Sequence, residues 1–525
     1  MDMATNRTPS PSIIHQLNPD ATDPSSLQPQ SEVCHSPWHS PPGVFPLASI
    51  PSLLLHMLTS CNFKPVDLAH LEATCSFFRK STDLIPEFEL SICEVAALEM
   101  CRKRSMFKWM SRKEGEELKE RSGGSWKLVL MYLLAREGLM RTGKLQAAAG
   151  GSHNVIVTAS GDVYTFGKID RPLQLMYSAT TDFSLLQKIS SLEGIRIIQA
   201  AASPGKTILV SDSGQVYACV PGISQQGKNE GISQQGQNEG ISQQGQDEED
   251  ESTVMVPIIV DNLKEIFVVQ VAVGVFLVAF LSREGRVYAF SCSDELELGH
   301  QNHPEVMEPR PLTGELENIP VVQIGAGHCY LLALAFHPNG MSVYSLGCGE
   351  GGKLGHGSIS SEKLPRLINQ FQILKVQPIA ISAGIWHAAV LGQNGEVCTW
   401  GWGNCGCLGN GDEDFQAVPN IVQGLGVGKA IHIATGNLST FVVLDNGQIY
   451  YFGAERYEID DDAPLESIYM ANAVLKPKLV SYLKLPGEKI VHISLAKSDE
   501  EFDHIIVLTE SENVYTLRMA IDGDD

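Results

Sequence analysis

Two stretches of this sequence have the glycine spacing that cradles a nucleotide phosphate, Gly347-x-Gly349-x-x-Gly352 and Gly401-x-Gly403-x-x-Gly406. That chemistry needs a strand before the glycines, a helix after them and an acidic residue about 20 positions further on. Gly401 follows Gly347 by 54 residues, the interval of a repeat, so the glycines read as turn residues and not as a dinucleotide site. His153 and His387 share one position of that repeat, where a general base is conceivable. Copies of one position in a ring of repeats lie far apart, so each histidine is expected to be hydrogen-bonded and to brace its own repeat. Cys405-Gly-Cys407 with His432 offers thiolate and imidazole ligands. The four-ligand spacing of a structural zinc site is missing, and small residues filling a tight loop are expected instead. Arg102-Lys-Arg104 with Lys108, Arg112 and Lys113 is the basic cluster of note. It reads as a nuclear-import signal or a solvated helix face. There is no P-loop, activated nucleophile or carboxylate pair with a reason to be close, so no enzyme, metal or cofactor is expected.

The elements that position these residues are hairpins. One unit runs through Ala149-Gly150, His153, a β-branched run, Gly161, Val163-Tyr164 and Phe166-Gly167. It returns as Ala383-Gly384, His387, Gly395, Val397 and Trp400-Gly401. The turn position recurs at Gly161, Gly214, Gly285, Gly340, Gly395, Gly447 and, weakly, Glu512, in steps of 53, 71, 55, 55, 52 and 65 residues. Two long steps hold insertions, and the basic unit is near 53. Two short apolar runs around Ser-Gly, Asn-Gly or Glu-Gly make a hairpin whose turn needs positive φ. One such sheet cannot bury its faces, whereas seven arranged radially can. The expected fold is therefore mainly β, a seven-bladed β-propeller over 145–518. No Trp-Asp dipeptide, the mark of a commoner propeller repeat, is present.

Composition agrees. The 525 residues hold 48 glycines and only 7% aromatics, which suits short strands and tight turns. A net charge of −23 disfavours a nucleic-acid partner, whose phosphates need concentrated positive charge. Twelve cysteines without a secreted spacing, and an N-terminus without an apolar core, point to reduced thiols in cytoplasm or nucleus and to no secretion. The apolar run Ile266–Leu281 is short for a membrane span and is read as two buried strands. Residues 1–43, rich in Ser, Pro and Gln, read as a disordered tail. Residues 45–85 carry compact apolar periodicity, and 86–144 read as a helical connector, with Glu94–Arg104 and Trp126–Arg136 helical and Gly123-Gly124 between them. A nonapeptide from Gly222 to Glu230 occurs three times before the acidic run Asp247–Glu251, so 222–251 reads as a disordered insert in one blade.

Two segments resemble known families. Val343-Tyr344, Gly347, Gly349, Gly352, Leu354-Gly355 and Gly357 resemble the signature of regulator-of-chromosome-condensation repeats, and Val397, Trp400-Gly401, Gly403, Gly406, Leu408-Gly409 and Gly411 are a second copy. Gly453 falls at the same strand end in the next unit. The second and seventh units depart from the pattern, with Lys206 at the histidine position and Glu512 at the turn glycine. The upstream segment resembles an F-box, with Ile50-Pro51, Leu53, Leu54 and Leu58 like its opening and Leu68, Leu71, Cys75 and Phe78 like its later helices. Pro51 suits a first helical position and Asp67 a helix N-cap, and Leu68, Leu71, Cys75 and Phe78 would share one stripe. That resemblance implies docking on a Skp-type adaptor and cullin, with the propeller face holding an unknown protein target. Two alternatives carry other expectations: a non-catalytic scaffold, or a guanine-nucleotide exchange factor, the role of the founding member of the repeat family. A third role in that family, ultraviolet-B reception, rests on clustered tryptophans, and this propeller has Trp386, Trp400 and Trp402.

Overall fold

The computed structural model describes residues 51–61, 63–79, 90–140, 143–151, 153–167, 187–204, 206–223, 253–291, 309–454, 473–480, 488–497 and 504–518. The expected tail 1–43 and Ile50 lie outside them. Residues from Leu55 onward form one compact unit, and 51–54, the start of the first helix, are assigned outside it.

Among the described residues seven helices precede the strands: α1 Pro51–Ser60, α2 Pro65–Thr74, α3 Ser76–Arg79, α4 Ile92–Arg102, α5 Ser105–Lys108, α6 Arg112–Arg121 and α7 Trp126–Leu139. Their ends follow local chemistry. Ser91 caps α4 by accepting from the Glu94 N–H, and Ser111 and Glu114 form a reciprocal capping box on α6. Gly123 and Gly124, at φ 109° and 82°, turn the chain between α6 and α7. Two expectations are corrected here. Asp67 is not the N-cap of α2. Pro65 begins that helix, and Asp67 reaches back to accept from the Lys64 N–H at 2.8 Å. The stripe of Leu68, Leu71, Cys75 and Phe78 does not lie on one helix, because Cys75 is extended (φ −134°) and breaks the chain into α2 and α3.

The rest is a propeller of seven antiparallel sheets, each an up-and-down run of consecutive strands. The blades begin at Gln146, Ile197, Val268, Val321, Pro378, Ala430 and Ile490. Six have four strands, and the seventh, Ile490–Leu495, His504–Thr509 and Val514–Arg518, has three among the described residues. The first strand of every blade touches the first strands of both neighbours, including the first and seventh blades, so these strands line the axis. Nearly every residue of the second strands is buried, as in Leu277–Ser282 and His387–Gly392, because neighbouring sheets cover both faces. The turns between second and third strands carry positive φ at Gly161, Gly214, Gly285, Gly340, Gly395 and Gly447, and Glu512 takes the same conformation at φ 63°. Ile266–Leu281 contributes the strands Val268–Val273 and Leu277–Ser282. Among the described residues no helix is long and apolar enough to cross a membrane.

In the second blade, strands Val216–Ile223 and Thr253–Ile259 pair as far as Gly222↔Val254 and Ile223↔Thr253. Gly222 and Ile223, placed in the insert by the sequence, are thus strand residues, and 224–252 lie outside the described residues. The paired ends already stand one strand spacing apart. Replacing 224–252 with a short Asn-Gly turn should leave the melting temperature within a few degrees, since loop closure changes by about 0.6 kcal/mol per halving of length. A large fall measured by scanning calorimetry would show that the nonapeptide array packs on the blades.

Candidate protein-binding face

In an up-and-down blade the loop joining strands one and two and the loop joining strands three and four emerge at the same end. The turn between strands two and three and the link to the next blade emerge at the other. The two ends of this propeller are built differently.

Two belts of side chains first fix the blades to one another. On the innermost strands Gln199, Gln270 and Gln323 each donate to a carbonyl of the next blade, Val271, Ile324 and Ile381, and each accepts from the same residue's N–H. His432 Nε2 meets the Ile493 carbonyl at 3.2 Å, and His492 Nε2 meets the Ala147 carbonyl at 3.3 Å, which joins the seventh blade to the first. The Ala149 N–H also donates to Ser494 Oγ. At the start of the second strands runs the other belt. His153 Nε2 meets Thr207 Oγ1, Lys206 Nζ donates to the Val275 carbonyl, Tyr330 donates to the Gly384 and His387 carbonyls, and His387 Nε2 meets Thr440 Oγ1 at 2.7 Å. Every one of these reaches the following blade. The expectation that His153 and His387 brace their own repeat is therefore corrected: each carries an inter-blade tie. Lys206, which departs from the family pattern, spans the same junction with a longer side chain. His432 belongs to the inner belt, and no group of three or more metal-ligating side chains occurs among the described residues.

The tautomer of His387 follows from its partner. Thr440 donates its hydroxyl proton to the Cys407 carbonyl at 2.9 Å, so His387 Nε2–H must be the donor to Thr440. Burial with this neutral form preferred lowers the His387 pKa to about 4, and burial lowers His153 in the same direction. Between pH 4 and 6.5 the unfolded chain then binds more protons than the folded one, so stability falls as pH drops through that window. Over about 2.5 pH units His387 alone is worth roughly 3 kcal/mol. Urea midpoints of His387→Gln, which keeps an N–H donor, should lose that part of the wild-type slope between pH 4 and 6.5. Identical slopes would contradict the tie.

Glycine stands where the loops between strands one and two nest on one another. A Cβ on Gly274 would lie 1.9 Å from the Gly327 carbonyl oxygen, one on Gly327 2.4 Å from that of Gly384, and one on Gly384 2.5 Å from that of Gly436. Backbone bonds follow the same path, from Phe276 N–H to His328 O, His328 N–H to Ile385 O and Ile385 N–H to Gly436 O. On this rigid rim lies a track of rings. Phe276 meets His328 edge-on at 4.8 Å, His328 stacks on Trp386 at 4.7 Å, and Trp386 meets Trp402 edge-on at 5.2 Å. Lys353, fully buried, holds its ammonium 5.0 Å from the Trp386 ring centre. Phe276, Ile359 and Phe415 are exposed on loops at this end, beside exposed Glu350, Asp412, Glu413 and Asp414. Across the axis Lys497 donates to the Ala326 carbonyl of the fourth blade at 2.8 Å, and desolvation lowers its pKa to about 8.

The repeat glycines serve these loops. Gly355 and Gly409 leave room for the next blade's Trp400 and Phe452, whose rings a Cβ would approach to 2.9 and 2.8 Å. Gly347, Gly401 and Gly453 have φ of 113°, 110° and 120° and face backbone of their neighbouring strands. Gly150 packs on His153, and Gly167 ends a strand pairing with it. Trp400 is fully buried and donates to the Lys353 carbonyl. Cys405, at φ 57°, and Cys407 are buried, and Cys407 Sγ lies 3.0 Å from the Trp402 carbonyl.

The other end carries the helical head. Arg136 of α7, 1% exposed, donates to the Ser282 and Arg283 carbonyls, and Tyr132 donates to Val321 O. Arg121 of α6 donates to the carbonyls of Glu284, Gly285 and Ile319. Arg283 answers with a two-pronged pair to Glu114 at 2.8 and 2.9 Å. The Arg121 and Arg136 clamps gave no sequence signal, because their partners are backbone carbonyls 146 to 198 residues away. Deeper in the head, Lys127 of α7 bridges Glu72 of α2 and Glu94 of α4. Burial opposes the Lys127 charge, but the two carboxylates outweigh it and raise its pKa. Of the F-box-like residues, Leu58 and Leu68 are buried, Leu54, Leu71, Cys75 and Phe78 are half-buried, Leu53 is exposed, and Pro51 begins α1. In the basic cluster Arg102 pairs with Glu99, Arg104 with Glu137 and Lys113 with Glu117.

Seven radial sheets with loop-rich ends define a β-propeller, and residues 342–391 and 394–443 match the regulator of chromosome condensation (RCC1) repeat. Each matched unit starts at or just before the third strand of one blade and ends on the second strand of the next. Among known proteins the chain is similar to the E3 ubiquitin-protein ligase HERC2 of Homo sapiens, 28% identical over 362 residues, which is 68% of this chain and 7% of that one. It is also similar to the ultraviolet-B receptor UVR8 of Arabidopsis thaliana, 31% identical over 180 residues, 34% of this chain and 40% of the receptor. The chain thus spans less than half the length of each of these relatives. The crystal structure of human WBSCR16 shares the fold, with a TM-score of 0.50 at 19% identity over 70% of this chain and 87% of that one.

Proposed function

We propose that this chain is a substrate-recruiting adaptor of a cullin–RING ubiquitin ligase, with a protein target held on the loop face of the propeller and a Skp-type adaptor docked on the helical head. The observation that carries the reading is the mechanical continuity from α2 to the blades. Glu72 of α2 is tied to Lys127 of α7, and Arg136 of the same helix is buried against the third blade. Whatever binds the head is thereby held at a fixed position relative to whatever binds the propeller. The head also keeps apolar side chains in water: Met57 on α1 is 38% exposed and Val66 on α2 50%. The similarity to a ubiquitin ligase, over 7% of its length, is consistent with this class of work. Exposed Phe276, Ile359 and Phe415 among carboxylates suit a target with a basic, partly apolar surface.

The test is a pull-down of the full chain with recombinant Skp-type adaptor. Wild type should bind at micromolar concentration. Met57→Asp with Val66→Asp should weaken binding at least 30-fold, about 2 kcal/mol, while circular dichroism stays unchanged because both side chains are exposed. Wild type that fails to bind at micromolar concentration sinks the ligase reading and leaves a propeller scaffold with a helical cap.

A further inference from the structure

Cys329 and Cys348 face each other across the fourth blade at the loop end. The strands Tyr330–His337 and Gly340–Gly347 pair with Tyr330 opposite Gly347, so the next rung outward is Cys329 opposite Cys348, and the Cys348 N–H donates to the Cys329 carbonyl at 2.9 Å. Directly opposed residues of this kind stand about 5.5 Å apart between Cα atoms, the separation that a disulfide spans. The fifth blade shows which way these side chains point. Trp386 and Trp402 occupy the same two positions there, share the same backbone bond at 3.0 Å, and have their rings in contact. Both thiols are reduced, with Cys348 half-buried.

A second feature meets the pair. The Lys353 ammonium is fully buried and has no hydrogen-bond acceptor among the described contacts, a costly state for a cation unless a charge of opposite sign lies near it. Among the described residues no Glu or Asp is paired with it. The groups beside it are the two sulfurs, and the ammonium favours the thiolate on both. His328 Nδ1 lies 3.4 Å from Cys329 Sγ.

We propose that Cys329 and Cys348, opposed across the fourth blade near the buried Lys353 ammonium, form a peroxide-sensitive dithiol switch on the loop face, with Cys348, the more exposed of the two, as the attacking thiol. The titration direction agrees. The Cys329 thiol, donating to Cys348, lowers the Cys348 pKa against the effect of burial, with the Glu350 N–H and Lys353 adding to it, while Cys329 is raised. In the first step Cys348 Sγ attacks one oxygen of hydrogen peroxide. The O–O bond breaks, hydroxide leaves and takes a proton to become water, and Cys348 becomes a sulfenic acid. Cys329 Sγ then attacks Cys348 Sγ, the S–O bond breaks, and the departing oxygen takes the Cys329 proton as a second water. Two thiols lose two electrons and one peroxide gains them. The disulfide removes the counter-charge of Lys353 beside Trp386, so oxidation changes the track of rings on the face that holds the target.

The full chain is treated briefly with iodoacetamide at pH 6 and pH 8, and all 12 cysteines are followed by peptide mass spectrometry. An ordinary thiol slows about 100-fold between those pH values, because its thiolate fraction falls by that factor. Cys348 should slow less than three-fold and should be the first cysteine modified at pH 6. Stoichiometric hydrogen peroxide should then give a single cross-linked peptide joining Cys329 and Cys348, reversed by dithiothreitol. In Cys329→Ser the same treatment should leave a sulfenic acid trapped by dimedone at Cys348. A 100-fold slowing of Cys348, or peroxide products without the 329–348 cross-link, overturns the proposal on wild-type protein alone.

Discussion

Arg136→Met should detach the helical head from the propeller. Methionine fills most of the arginine's volume, so the change removes the donors without leaving a large hole. What remains are the Arg283 carbonyl with no donor, the Ser282 carbonyl with the Gly285 N–H alone, and the Tyr132 hydroxyl, which still donates to Val321 but has lost its guanidinium neighbour. A buried polar group left unsatisfied costs about 1–3 kcal/mol and an ordinary hydrogen bond about 1, so one orphaned carbonyl and two lost bonds come to about 3–5 kcal/mol across this junction. The remaining ties, Arg121 to three carbonyls and Arg283 to Glu114, are partly open to water and hold less. The expected readout is a new cleavage site for a trace protease between α7 and the first strand at Gln146, at least ten-fold faster than in wild type, with the blades resistant. Unchanged cleavage would mean that the head is held by its apolar contacts alone.

Gly274→Ala should unfold the junction of the third and fourth blades. Its backbone is not in a strained region, so the harm is steric: a methyl 1.9 Å from the Gly327 carbonyl oxygen forces two loops apart, and backbone on both sides leaves nothing soft to yield. Overpacking of this kind costs about 1–3 kcal/mol in ordinary cores, and at a backbone-to-backbone contact the upper end or beyond applies. Gly447→Ala is the control. Gly447 has φ 84° but nothing within 4 Å of a Cβ, so only the left-handed backbone opposes alanine there, about 1–2 kcal/mol. Thermal melting should place Gly274→Ala well below Gly447→Ala. The reverse order would show that the nested loops can separate freely.

The comparison of these two glycines shows what a sequence states openly and what it withholds. Gly447 is legible because its role is local: an Asn-Gly between two apolar runs needs positive φ whatever surrounds it. Gly274 gives no such signal, since its constraint comes from a carbonyl 53 positions away. The histidines follow the same rule. Their position in the repeat is visible, yet Thr207 and Thr440, which receive them, lie one blade further on, and the sequence suggests an internal brace instead. One missed signal was available. Gln199, Gln270 and Gln323 recur in steps of 71 and 53 residues, close to the steps of the turn glycines, and that shared period marks them as repeat positions. Cys329 and Cys348 become a pair only when aligned with Trp386 and Trp402 of the next unit. The arginine clamps obey no period and were beyond reach, because backbone carbonyls have no sequence identity.

Among the described residues the seam between the seventh and first blades carries no shared strand. Gln146–Ala149 pairs with His153–Val157 inside the first blade, and the seam is made by His492, Ser494 and an apolar cluster in which Leu145, Ile156 and Phe166 meet Ile506, Leu508 and Val514. The described strands of every sheet therefore come from residues that leave the ribosome in succession. A nascent chain can stack its blades in the order of their synthesis, with Leu145 and Phe166 facing water until the last one arrives. Chaperones that hold apolar surface have their longest opportunity there, at the first blade, and a translation pause before Ile490 lengthens it.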